Sequence, residues 1–94
     1  MTPTADDSDA AAVTRLLHLA RQRGFTFTPT GEEGSLWGER VTQRWRDIVF
    51  LGAGGHCNAA RCYRSVAPSE PAVAEGVSGT ALTVLHTVVY SWPT

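Results

Sequence analysis

The segment Ile48-Val49-Phe50-Leu51-Gly52-Ala53-Gly54-Gly55 is an apolar strand running into glycines. In a dinucleotide-binding turn, such glycines let the backbone approach a pyrophosphate at the start of a helix. Here the third glycine position is Cys57, the continuation Asn58 to Arg64 has no helical stripe, and the remaining chain is short for that fold. A hairpin turn accounts better for the same glycines. His56, Cys57, Cys62 and His86 are residue types that zinc prefers, but their spacing matches no knuckle and a hairpin sends the two thiols apart. Cys57 beside His56 makes a poor nucleophile and base pair, because neighbours in a strand point away from each other. Glu32 and Glu33 fall in a turn, where they serve solubility. Neither a metal nor a cofactor is expected, and no catalytic residue is assigned.

The remaining chemistry is anion binding by arginine. All eight basic residues are arginine, and five of them lie between Arg40 and Arg64 with a single acid, Asp47. Arginine's planar fork suits bidentate contact with carboxylate or phosphate. The candidate binding residues are Arg40, Arg44, Arg46 and Arg64, read as one face of a sheet; a solvated sheet surface is the bland alternative.

A β-hairpin must position them. Arg46 to Leu51 has strand composition, and a three-residue loop, Ala53 to Gly55, with a glycine in the left-handed conformation sets Gly52 opposite His56. This register pairs Trp45 with Tyr63, Asp47 with Arg61, Val49 with Ala59 and Leu51 with Cys57, giving one aromatic and one opposite-charge pair. The other side carries Ile48 opposite Ala60, Arg46 opposite Cys62 and Arg44 opposite Arg64. A one-residue slip would move every side chain to the wrong face. Arg40 is read in line with Arg44 and Arg46, on one long strand that starts near Ser35 and bends at Gly38.

Before the hairpin, Val13, Leu16, Leu17 and Ala20 recur at helical spacing and predict a helix over Asp9 to Arg23, capped by Gly24 and preceded by a tail, residues 1–7. Phe25 to Thr28 alternates, predicting a short strand with both phenylalanines on one face, and Thr30 to Gly34 is a turn. Trp37 is expected against the helix or the end of the core. After the hairpin, residues 66–79 read as a long loop. Leu82, Val84, His86, Val88, Tyr90 and Trp92 alternate with a second row, predicting a final strand over Thr80 to Trp92.

Ninety-four residues suit one small domain. The expected class is α+β: an N-terminal helix on an antiparallel sheet of about four strands. A net charge of −1 and a pI near 6.2 make nucleic-acid binding an unlikely role. No apolar run reaches membrane-span length, and the acidic N-terminal stretch does not resemble a secretory leader, so a cytoplasmic location with reduced cysteines is expected. The function expected is a small non-enzymatic binding or protein-interaction module that engages an anionic group or acidic partner through the arginine cluster. The alternative is a small-molecule-binding or catalytic domain with a pocket under the loop 66–79. A chain with one helix to cover one sheet face is also expected to self-associate as a homodimer.

Overall fold

The computed structural model describes residues 5–64 and 73–94. The chain is α+β: helix α1 (Ala5–Gln22), strands β1 (Thr26–Pro29), β2 (Leu36–Val41), β3 (Trp45–Leu51), β4 (Cys57–Tyr63) and β5 (Val73–Gly79), and helix α2 (Ala81–Ser91). The five strands form one antiparallel sheet in chain order. Sheet strands therefore number five, one more than the sequence suggests.

The central hairpin has the expected register at every pair, from Trp45 opposite Tyr63 to Leu51 opposite Cys57. Its loop closes through the Gly55 amide, which donates to the Gly52 carbonyl at 3.2 Å, with Gly55 at φ +85°. Only a glycine takes that conformation without steric cost. The Trp45 and Tyr63 rings meet at 4.9 Å between centroids.

Two expectations about elements are overturned. Residues Ala81–Ser91 are helical, not extended. The buried set there, Val84, Leu85, Val88 and Val89 with Trp92 just after, has a period near 3.6. The Thr80 hydroxyl opens the helix by accepting from the Thr83 amide at 3.2 Å. Alternation is a poor discriminator there because both alternating rows contain apolar residues, and the thirteen residues from Thr80 to Trp92 are long for a strand. Part of the expected loop, Val73 to Gly79, is instead the edge strand β5, paired along β4 with a register shift at Arg61/Cys62. The rest of that segment, 66–72, lies outside the described residues. Helix α1 also begins at Ala5, within the segment expected to be a tail.

A third correction bears on the candidate site. The supposed single strand from Ser35 to Leu51 is two strands: the chain reverses at 42–44, where the Thr42 amide donates to the Trp45 carbonyl at 2.9 Å and the Trp45 amide returns a bond to the Thr42 hydroxyl at 3.2 Å. Gly38 lies within β2 and leaves room for a ring: a Cβ there would lie 2.4 Å from Phe27, its cross-strand partner.

Both helices lie on one face of the sheet, with α2 touching α1, β4 and β5. Leu16 and Ala20 of α1 and the buried stripe of α2 close over Phe25, Val49, Leu51, Cys57 and Ala59. The opposite face, which presents Trp37, Ile48 and Phe50, has no helix on it among the described residues.

Candidate binding surfaces

Strand parity sorts the charged side chains onto the two faces. On the covered face, Arg40, Asp47 and Arg61 stand in one cross-strand row. All three are buried, at 4%, 0% and 4% exposure. Arg40 donates through Nε and Nη2 to Asp47 Oδ2 at 3.1 and 2.7 Å. Arg61 donates through Nε to Oδ1 at 2.8 Å and through Nη2 to Oδ2 at 3.0 Å. Arg61 thus grips both carboxylate oxygens in the bidentate geometry in which charge-assisted bonds are strongest, while both Arg40 bonds converge on Oδ2.

The two guanidiniums also donate to main-chain carbonyls, of which that of Trp92 is buried. Arg40 reaches the Arg23 carbonyl at the end of α1 at 3.2 Å and the Trp92 carbonyl at 3.0 Å. Arg61 reaches the Pro93 carbonyl at 2.6 Å. Aromatic faces complete the shell, with Arg40 over Phe25 at 4.5 Å and Arg61 over Trp45 at 4.8 Å. This cluster ties β2, β3 and β4 to the ends of both helices, and no buried side-chain polar atom among the described residues lacks a partner.

Of the four arginines singled out from the sequence, Arg40 therefore stands apart. It is on the covered face, because the turn at 42–44 reverses the strand and breaks the parity that would have aligned it with Arg44 and Arg46. Arg46 is on the open face, ion-paired with Glu39 at 2.8 Å. An acid is thus interspersed among the bases there, in contrast to the expected run of like charge. Arg44 and Arg64 are neighbours at the end of the β3–β4 pair, where the Arg64 amide donates to the Arg44 carbonyl at 3.1 Å. The Arg64 side chain closes the β2–β3 turn by donating to the Thr42 carbonyl at 2.8 Å.

The open face carries an apolar strip among polar residues. Trp37 opposite Phe50, Ile48 opposite Ala60, and Val41 beside Arg46 run across β2, β3 and β4. Trp37 is 42% exposed and Val41 54% exposed, and Val73 on β5 extends the surface at 57%. Trp37 is accordingly on the uncovered side, away from the helices, contrary to expectation. A two-strand reading of Leu36 to Leu51 would have placed it there, since Trp37 and Phe50 then share a face. Cys57 and Cys62 lie on opposite faces, Cys57 in the core and Cys62 half-buried on the open side.

Among the described residues, clefts lie at opposite ends of the sheet. One, of about 500 Å³, is lined by Gln43, Arg44, Trp45 and Tyr63. The other, of about 480 Å³, lies between the β3–β4 loop and the start of α2 and includes His56 and Thr80. Both are open to solvent. Among the described residues, no three His, Cys, Asp or Glu side chains gather as a metal site would require, and no helix is long and apolar enough to cross a membrane. His18 and His86 are exposed, each against a residue of its own helix, Gln22 at 3.1 Å and Tyr90 at 4.8 Å between rings. No protein-family model matches the chain, and no curated protein or solved structure is detectably similar to it.

Proposed function

We propose that this chain is a non-enzymatic interaction module whose working surface is the open face of its sheet, and that a second copy of the chain occupies that face. The observation that carries the proposal is the placement of both helices on one side, which leaves Trp37, Val41, Ile48 and Phe50 on a surface that no described element covers. A contiguous apolar strip of this kind marks an association site.

Size and charge favour a second copy as the occupant. Five strands of four to seven residues, at about 4.8 Å spacing and about 3.3 Å per residue, span a face of roughly 500 Å², and side-chain relief raises its accessible area toward the ~800 Å² per partner of a standard interface. A two-fold interface needs a self-complementary surface. Glu39 and Arg46 side by side on this face supply one, since each can exchange its partner for the equivalent residue of the other copy.

The variant pair Trp37→Glu and Val41→Glu tests this reading, because both side chains are exposed in the isolated chain and their replacement leaves the core intact. Size-exclusion chromatography with light scattering should show the native chain as a dimer and the variant as a folded monomer. Equal masses for the two folded proteins would contradict the proposal.

A further inference from the structure

We infer that the cleft at the β2–β3 turn, lined by Gln43, Arg44, Trp45 and Tyr63, is a binding site for a small aromatic carboxylate. Its volume of about 500 Å³ falls within the roughly 300 to 1,000 Å³ of small-ligand sites. It is independent of the association face: Trp45 and Tyr63 share the covered side of the sheet with Asp47 and Arg61.

The charge beside the cleft is unbalanced. Two buried guanidiniums share one carboxylate, so the Arg40–Asp47–Arg61 cluster carries a formal excess of one positive charge. Arg61 turns its Nε and Nη2 to Asp47, and in a planar guanidinium this directs Nη1 away from that carboxylate. Nη1 has no hydrogen-bond partner among the described residues and, since no buried side-chain polar atom there goes unpartnered, it keeps contact with solvent. Glu75, opposite Arg61 on β5, forms no ion pair with it. The Arg61 guanidinium rests on the Trp45 ring at 4.8 Å, so this excess charge lies against a residue that lines the cleft.

The lining of the cleft has the same sign. Arg44 is exposed and makes no ion pair among the described residues, whereas Arg46 on the other face is satisfied by Glu39. Among the described residues that line it there is no acid. An anion in the cleft meets the Arg44 fork and the Gln43 amide with cationic charge beside it, and low-dielectric walls strengthen that attraction.

The walls themselves determine the rest of the ligand. Trp45 and Tyr63 are flat and apolar, and Tyr63 is 47% exposed. A bare inorganic anion would leave these rings in water. A single-ring carboxylate covers them and presents a planar acceptor pair to Arg44, which matches guanidinium geometry bidentately.

The three tryptophans make the test direct, since Trp45 is in the cleft, Trp37 on the open face and Trp92 in the core. Phenylacetate titrated into the protein should move the Trp45 indole N–H resonance saturably and leave that of Trp92 in place. Benzyl alcohol, which keeps the ring without the charge, and inorganic phosphate, which keeps the charge without the ring, should each bind about tenfold more weakly or worse. Arg44→Gln should weaken phenylacetate by about tenfold or more without altering the thermal midpoint, because Arg44 makes no described side-chain bond within the fold. Three results would each overturn the inference: an unmoved Trp45 signal up to about 50 mM phenylacetate, phosphate binding as tightly as phenylacetate, or unchanged affinity in Arg44→Gln.

Discussion

The same β2–β3 hairpin carries an ion pair on each of its faces, and the two pairs differ in everything but sequence spacing. Arg40 to Asp47 and Arg46 to Glu39 each join residues seven positions apart. The first has side chains 3% and 0% exposed, and the second 51% and 35%. On the covered side, two guanidiniums enclose one carboxylate and then bind three carbonyls at helix and chain ends. On the open side, one pair stands in water beside exposed Trp37 and Val41. Equal spacing thus gives a structural clamp on one face and a solvated, exchangeable contact on the other, and burial decides which.

Removing the acid of the buried pair is the harshest way to break this contrast. Asp47→Ala leaves two guanidiniums facing each other without a counter-charge, and should cost about 3 to 5 kcal/mol in urea denaturation, the usual loss when one partner of a buried pair is deleted. A loss below about 1 kcal/mol would mean that the cluster is far wetter than its burial implies.

Adjacent positions sharpen the comparison at intermediate cost. Gly38 faces the helices and Glu39 faces solvent, one residue apart. A Cβ at Gly38 would lie 2.4 and 2.8 Å from Phe27 ring atoms. Gly38→Ala should therefore destabilise by about 1 to 3 kcal/mol as an overpacked site, read as a lowered thermal midpoint. At the small end, Glu39→Gln should change stability by less than about 1 kcal/mol, with the difference shrinking further as salt is raised. A larger, salt-insensitive loss would mean that the open face is dehydrated in the isolated chain.

The parts of this arrangement that were legible in the sequence are the local ones. The β3–β4 register followed from a glycine-rich loop and two cross-strand pairs, Trp45 with Tyr63 and Asp47 with Arg61, which a shorter loop would have destroyed. Helix α1 was visible in its apolar stripe. The turn at 42–44 was hidden because Thr-Gln-Arg contains neither glycine nor proline, so two strands read as one. That error changed the parity of β2, which put Arg40 on the wrong face and concealed Trp37 on the open one. Helix α2 was obscured by β-branched valine and threonine, whose strand preference yields here to a cap at Thr80 and to burial along one helical stripe. Strand β5, with two glycines in seven residues, has little strand propensity of its own and is extended because β4 offers it an edge.

The open face is the centre of this account, and the mass of the native chain in solution tests it most directly. Sedimentation equilibrium at micromolar concentration should show a species of about twice the 10.1 kDa chain mass. A single 10.1 kDa species across that range would contradict the proposal that a second copy covers Trp37, Ile48 and Phe50.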